Sequence, residues 1–160
     1  MKTIITQAAK EDLPIILDIQ RKAFLEVAKT FHLKSMPQIE QTLENLTAEF
    51  KYCTFLKASI ANAIVGSVRA YNKDDTCHIS KLIVLPDYQN KGIGKALMNE
   101  IENQFKNIVN RYELFTGSRD QRNQHLYSQL GYKSFKTEKH NDEISFVYME
   151  KSSHQSDFDK

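Results

Sequence analysis

The sequence predicts an α/β domain of the α+β type, with a single mixed, mostly antiparallel sheet of about six to seven strands flanked by about four helices. Short segments rich in β-branched and aromatic residues recur between turn-forming residues, as is typical of strands. Other segments carry apolar residues at helical spacing. One long helical segment separates two strand segments, which implies a single parallel pair among antiparallel neighbours.

Length and composition fit an ordinary globular protein. The 160 residues predict one domain over 1–150, followed by a polar tail over 151–160. The net charge of +2 gives no case for nucleic-acid binding. No apolar run approaches the roughly 18 residues of a membrane span. The first residues lack a signal-peptide core, so we expect a cytoplasmic protein without a membrane partner.

The N-terminal third predicts one strand and two helices. Residues 2–6 have strand character, and a helix follows from about Asp12, a candidate N-cap with Pro14 in the first turn. Pro37 separates this helix from a second one. The residues expected to face the core at helical spacing are Ile16, Ile19, Ala23 and Val27 in the first helix and Ile39, Leu43, Leu46 and Phe50 in the second.

The middle of the chain predicts an antiparallel meander over about 52–58, 64–71 and 76–84. A long helix follows from about Gly92 to Val109. Its predicted apolar stripe consists of Ile93, Leu97, Ile101, Phe105 and Ile108.

The last third predicts three more strands and a short helix. The strands cover about 111–116, 132–138 and 144–150. The short helix covers about 121–130, with Asp120 as N-cap and Gly131 just beyond its C-terminal end. Leu126 and Leu130 should pack inward, which places Tyr127 at the edge of the buried face.

The start of the long helix has the features of an anion site. Gly92 and Gly94 lack side chains, so a ligand can approach unpaired N–H groups at the positive end of the helix dipole. Lys91 and Lys95 add charge there, although a glycine-rich helix start with solvated lysines explains the same residues. The P-loop and dinucleotide patterns fail, because they require other residues at Asp87, Ala96 and Leu97.

The same stretch resembles a known signature. Residues 89–94 (QNKGIG) resemble the Q/R-x-x-G-x-G/A motif of the GCN5-related N-acetyltransferase (GNAT) family, and residues 82–86 (LIVLP) resemble its L-x-V-x-P lead-in. The resemblance extends over about residues 3–150. It implies acetyl-CoA as co-substrate and no metal. It places the pantetheine arm on main-chain groups of Leu82, Ile83 and Val84, and the pyrophosphate on the backbone amides of Gln89, Asn90, Lys91, Gly92, Ile93, Gly94 and Lys95.

A second stretch, residues 120–132, resembles the family's short helix that ends in L-G-F/Y. The tyrosine of that helix often protonates the departing coenzyme A thiolate, and Tyr127 matches its position. A phenol with a pKa of about 10 is protonated at neutral pH and can donate to a thiolate. The resemblance also puts Asn123 in reach of the cofactor. From the residues alone, Tyr127 is a core-edge aromatic, and only the resemblance implies a catalytic role.

The base that deprotonates the amine is less defined. Alternation along strand 76–84 puts His78 on one face with Leu82 and Val84. In several relatives a glutamate at the equivalent position deprotonates the amine, and a histidine can do the same, so His78 is the candidate base. Glu26 and Glu49 are alternative bases, and His78 can also be a strand histidine without a catalytic role.

These features predict an N-acetyltransferase that moves an acetyl group from acetyl-CoA directly to a primary amine. Two alternatives stay open: a non-catalytic acyl-CoA-binding regulatory domain, and a module for another phosphorylated ligand. The acceptor, a small molecule or a peptide, is not encoded in any readable motif, and a homodimer is open. The histidines have no metal-ligand spacing; they are His32, His78, His125, His140 and His154.

Overall fold

The computed structural model describes residues 2–153, which form seven strands and five α-helices. The strands are β1 Thr3–Gln7, β2 Thr54–Ile60, β3 Ala63–Lys73, β4 Thr76–Val84, β5 Arg111–Gly117, β6 Lys133–Lys139 and β7 Ser145–Ser152. The helices are α1 Leu13–Thr30, α2 Pro37–Glu40, α3 Leu43–Phe50, α4 Ile93–Phe105 and α5 Gln121–Gln129.

The strands form one mixed sheet in the order β1-β2-β3-β4-β5-β7-β6. β1 pairs with β2, β2 with β3, β5 with β7 and β6 with β7, all antiparallel. β4 and β5 are parallel, with His78 opposite Glu113. A crossover through α4 allows this parallel pair, since a tight hairpin can join only antiparallel strands. The predicted fold class is confirmed.

The described residues divide into two compact units. The first comprises residues 2–71 and 81–101, and the second comprises residues 72–80 and 102–153. The division falls inside β3, β4 and α4, and in β4 it lies between Ser80 and Lys81. Lys81 has a φ of 54°, which is unusual for a residue other than glycine. The single domain expected over 1–150 stays a prediction.

The first unit is built on α1. Its buried face packs with residues of α3, β2 and β4, as its spacing predicts. Asp12 precedes α1, but its carboxylate does not cap that helix; it accepts hydrogen bonds from the Ala9 N–H and the Lys57 ammonium instead. The core cluster consists of Ala8, Leu13, Ile16, Leu17, Ile19, Ala23, Leu46, Phe55 and Ile83.

The continuous second helix expected across residues 39–50 is wrong. The chain breaks at Gln41 and Thr42, and α2 and α3 are separate helices. Thr42 is extended, and its hydroxyl accepts a 3.1 Å hydrogen bond from the Asn45 N–H, which starts a new helix. Leu43, expected in the core, is 42% exposed because it lies in the first turn after this cap.

The second unit has its own buried side chains, and its elements end at slightly different positions from those predicted. Ile108 is 57% exposed, because α4 ends at Phe105 and Val109 is buried instead. β7 continues to Ser152, so the first two residues of the expected tail are strand. Ser153 follows in a turn, and residues 154–160, with His154, lie outside the described residues. The buried side chains include Cys77, Ile79, Tyr112, Leu114, Tyr127, Tyr132, Ile144 and Met149.

Helix α5 presents a different face from the one expected. Tyr127 is its buried residue, at 5% exposure, whereas Leu126 and Leu130 are half-buried. The buried face is therefore centred on Tyr127, and Leu126 and Leu130 are only partly covered. The side-chain amide of Gln124 donates 3.0 Å hydrogen bonds to the carbonyl oxygens of residues 117 and 118, which orients this face.

Candidate functional site

The end of β4 is held tightly in the first unit. The Leu85 N–H donates a 2.9 Å hydrogen bond to the Val65 carbonyl oxygen. Gly66 of β3 allows β4 and α4 to pack closely, because an added Cβ would lie 2.9 Å from the Ile83 carbonyl oxygen and 3.3 Å from Leu97 Cδ1. The turn that follows β4 therefore starts from a fixed position.

The loop between β4 and α4 carries a row of N–H groups that lack backbone partners among the described residues. Gln89 donates from its side-chain amide to the Val84 carbonyl oxygen at 3.1 Å, and the backbone then turns through two positive-φ residues, Asn90 (63°) and Gly92 (81°). Within residues 2–153, no backbone carbonyl accepts a hydrogen bond from the N–H groups of residues 91–95. These donors stand at the positive end of the α4 dipole.

The space around this turn is open. A Cβ added to Gly92 would meet nothing within 4 Å. Lys91 and Lys95 are exposed, and the Lys91 ammonium lies 5.7 Å from the centre of the Tyr88 ring. Unpaired donors, open space and two cations fit a bound diphosphate. The loop can thus hold the pyrophosphate of coenzyme A.

The strand residues predicted to hold the pantetheine arm differ in burial. Ile83 is buried in the core, so only its main chain is available to a ligand, while Leu82 and Val84 are half-buried. The common face predicted for His78 and Leu82 by alternation is wrong. It requires continuous extended backbone, and Lys81 adopts left-handed φ between them.

Tyr127 is a protonated, buried phenol. Burial raises its pKa, and the carboxylate of Asp120 raises it further. Among residues 2–153 the hydroxyl has no hydrogen-bond partner, while the ring packs edge-on against Tyr132 with centroids 6.1 Å apart. Asp120 is confirmed as the N-cap of α5, since it accepts a 3.1 Å hydrogen bond from the Asn123 N–H. Tyr127 can therefore donate a proton at neutral pH.

His78 lies beside a carboxylate of the parallel strand. Its Nδ1 is 3.7 Å from Glu113 Oε2, and Glu113 Oε1 accepts a 2.9 Å hydrogen bond from Arg111. Burial lowers the pKa of His78, and Glu113 acts in the opposite direction. A neutral imidazole at physiological pH can accept a proton.

A family model adds an independent observation. The model of the acetyltransferase (GNAT) domain matches residues 16–153, which is most of the chain. The chain belongs to the GNAT acetyltransferase family. GNAT acetyltransferases use acetyl-CoA as their co-substrate, in agreement with the open row of N–H groups at α4. No curated protein matches the chain by sequence.

Solved structures share the GNAT fold at low identity. The PaiA N-acetyltransferase of Thermoplasma acidophilum, in complex with coenzyme A, is 21% identical with a TM-score of 0.80, covering 95% of this chain and 99% of that one. The ribosomal-protein-S18-alanine N-acetyltransferase of Escherichia coli is 15% identical (TM-score 0.78, 94% of each chain). A phosphinothricin acetyltransferase of Sinorhizobium meliloti with acetyl-CoA is 18% identical (TM-score 0.78, 95% and 89%).

Sequence reasoning missed the residues that hold the GNAT helix α5 in place. The Tyr132 hydroxyl donates a 2.9 Å hydrogen bond to Glu102, whose other oxygen lies 2.7 Å from the Lys151 ammonium. Lys151 also lies against Tyr132 and Gly131. Tyr132 is thereby fixed against Tyr127. No local signal reveals this arrangement, since the partners of Glu102 lie 30 and 49 positions away.

The alternative bases are placed less favourably. Glu26 is exposed and pairs with Lys29 at 3.8 Å. Glu49 accepts hydrogen bonds from Arg69 (2.9 Å) and Gln41 (2.6 Å), so its carboxylate is already engaged.

Three further observations concern the thiols, metal binding and membrane-spanning helices. Both cysteines are free, and burial raises the pKa of Cys53 to about 11 and of Cys77 to about 12, which keeps both thiols neutral. Within residues 2–153, no group of three His, Cys, Asp or Glu side chains could hold a metal ion. None of the helices in this range is both long enough and apolar enough to cross a bilayer.

Proposed function

We propose that this GNAT chain transfers the acetyl group of acetyl-CoA directly to a primary amine. The observation that carries the proposal is the row of unpaired N–H groups at residues 91–95, which suits the coenzyme A pyrophosphate. The family match supports the same activity. A cytoplasmic location and a homodimer stay predictions.

The two predicted catalytic side chains, His78 and Tyr127, each move one proton in the proposed reaction. The neutral amine attacks the thioester carbonyl carbon, and main-chain N–H groups near Leu82 and Val84 stabilise the oxyanion. His78 takes the proton that the amine loses. The C–S bond breaks, and Tyr127 gives its proton to the departing thiolate. No covalent intermediate on the protein is required.

Two measurements test the proposal in sequence. Calorimetry of coenzyme A and acetyl-CoA with the purified chain tests the binding loop. Release of coenzyme A thiol from acetyl-CoA across a panel of peptide amines, polyamines, aminoglycosides and small metabolite amines tests turnover. Tight binding without thiol release for any amine would favour the non-catalytic acyl-CoA-binding alternative. Absence of binding would remove the basis of the proposal.

A further inference from the structure

The first unit contains a buried polar cluster centred on Arg69 of β3. Its guanidinium is 1% exposed. It donates hydrogen bonds to Gln20 (3.0 Å), Gln41 (2.9 Å) and Glu49 (2.9 Å). Two buried side-chain atoms within residues 2–153 lack a hydrogen-bond partner, Arg69 Nε and Gln38 Oε1. Both belong to this cluster, because the backbone carbonyl oxygen of Gln38 accepts a 2.8 Å hydrogen bond from Gln20.

A second cation lies next to this cluster. Lys81 is half-buried in β4, at the left-handed position directly before Leu82. Burial lowers the pKa of Lys81, repulsion by Arg69 lowers it further, and Glu49 and Cys53 act in the opposite direction. Within residues 2–153, no carboxylate lies within 4.0 Å of its ammonium.

The charges around Lys81 do not balance. Of the titratable groups that face it, Arg69 is a cation, the Cys53 thiol is neutral because burial raises its pKa to about 11, and Glu49 is the one anion. Glu49 is already bound by Arg69 and Gln41. A half-buried ammonium without a counter-ion is unfavourable, and an oxyanion supplied by a ligand would correct the imbalance.

An exposed aromatic surface adjoins the same groups. Tyr52 is 61% exposed and packs edge-on against Tyr71, with ring centroids 5.6 Å apart. The charges of Glu49 and Arg69 act on the Tyr52 phenol, which places this surface beside the cluster. Tyrosine rings of this kind offer an apolar surface to the body of a ligand and a hydroxyl to its polar groups.

We propose that Lys81 binds an acidic group of the acceptor, so that the substrates of this chain are amines that also carry a carboxylate or a similar oxyanion. The inference rests on the proposed function, which places the thioester at the main chain of Leu82, the residue after Lys81. The two cations have a second effect on the acceptor. They disfavour its ammonium form, and the attacking amine must be neutral.

The test compares matched acceptors that differ only in the acidic group: tyramine with tyrosine, agmatine with arginine, and cadaverine with lysine. Thiol release from acetyl-CoA is measured with the wild-type chain, Lys81→Gln and the charge-retaining control Lys81→Arg. We expect the acidic member to have the higher kcat/KM in at least one pair. Because Lys81→Gln removes a charge-assisted hydrogen bond, the KM for the acidic member should rise by roughly 10- to 100-fold, with the neutral member little affected.

The outcomes separate this inference from the proposed function. If the neutral member of every pair is used as well as or better than the acidic one, the assignment of Lys81 is overturned while acetyl transfer stands. If no amine in the panel is acetylated although acetyl-CoA binds, the proposed function is wrong, and the acceptor assignment, which depends on it, is wrong as well. If Lys81→Gln keeps the wild-type preference for the acidic member, the assignment of Lys81 is also overturned, and calorimetry with coenzyme A checks that the variant is intact.

Discussion

The side-chain amide of Gln89 donates a 3.1 Å hydrogen bond to the carbonyl oxygen of Val84. The first residue of the GNAT signature thus ties the loop back to the last residue of β4. This bond fixes the backbone that runs on into the row of N–H groups at residues 91–95. Affinity for coenzyme A should therefore depend on a side chain that lies outside the row itself.

Replacing Gln89 by alanine should weaken coenzyme A binding without unfolding the chain. The loop would lose one hydrogen bond and would spend less time in the binding conformation. We expect the Kd to rise by roughly 2- to 10-fold, the equivalent of one net hydrogen bond. Calorimetry measures the change, and Asn99→Ala on the exposed side of α4 is the control. Equal affinities for the two variants would argue against a role for the Gln89 contact.

The two signature glycines should respond differently to alanine. Gly92 has a φ of 81°, so Gly92→Ala should destabilise the ligand-free chain by about 1–2 kcal/mol despite the open space around it. Gly94 is the second residue of α4 and has no positive φ, so Gly94→Ala should cost less stability than Gly92→Ala. Melting without ligand tests this order.

Melting with coenzyme A tests whether the ligand lies close to Gly94. If the pyrophosphate approaches the backbone at Gly94, the Gly94→Ala variant should show a smaller thermal shift on adding coenzyme A than the wild type. An unchanged shift would mean that the ligand does not approach this residue closely.

Tyr127→Phe should slow thiol release by roughly 10- to 1,000-fold, around or somewhat under the usual range for general-acid catalysis, while coenzyme A binding is retained. Tyr112→Phe is the matched control. It removes another buried hydroxyl of the same unit, which donates a 2.9 Å hydrogen bond to the Glu102 carbonyl oxygen. Tyr112→Phe should therefore lower the free energy of unfolding and leave the rate of thiol release unchanged. Equal rates for Tyr127→Phe and the wild type would exclude Tyr127 from the mechanism.

The pH dependence of kcat/KM should reflect the pKa of His78. Burial lowers its pKa from 6.5, partly offset by Glu113, while Arg111 and Lys73 lower it and Asp74 raises it. A base acts in its neutral form, so kcat/KM should rise with pH along a limb centred below 6.5. Glu113→Gln removes a charge that favours the imidazolium, so the limb should move to lower pH. His125→Gln, on the exposed side of α5, should leave the limb in place.

The same pKa shift predicts how stability depends on pH. The folded chain binds a proton at His78 less readily than the unfolded chain does. Unfolding should therefore become easier as the pH falls from 6.5 towards the folded pKa, and the free energy of unfolding should level off above 6.5. Glu113→Gln should widen the pH range over which the free energy of unfolding changes, since it lowers the pKa of His78 in the folded chain further. NMR titration of the His78 ring measures the pKa directly.

Most secondary structure was predictable because its signals are local. The α1 stripe at Ile16 and Ile19, the N-cap at Asp120 and the glycine turn at Gly92 each depend on residues within one or two helical turns. The break at Thr42 has a local signal as well, a threonine whose hydroxyl caps Asn45. It was missed because the apolar spacing across residues 39–50 suggested one helix.

The candidate site was only partly predictable. Contiguous motifs predict the row of N–H groups at residues 91–95 and the choice of Tyr127 as the candidate proton donor. The expected face of His78 depended on regular alternation along β4, and the left-handed backbone of Lys81 ends that regularity. No pattern in the sequence singles out Lys81, because a lysine in a strand is ordinarily solvated.

The sequence by itself determined most of the elements, the glycine turn at residues 89–94 and the family, because hydrogen bonds and dihedral angles over a few neighbouring residues produce them. Only the tertiary structure decided that Tyr127 is buried, that Glu102 joins Tyr132 to Lys151, and that Arg69 lies in the core with Glu49. These contacts join residues 20 to 49 positions apart. A charged residue carries no local mark of whether folding will desolvate it, so its partners and its pKa emerge only when distant segments pack together.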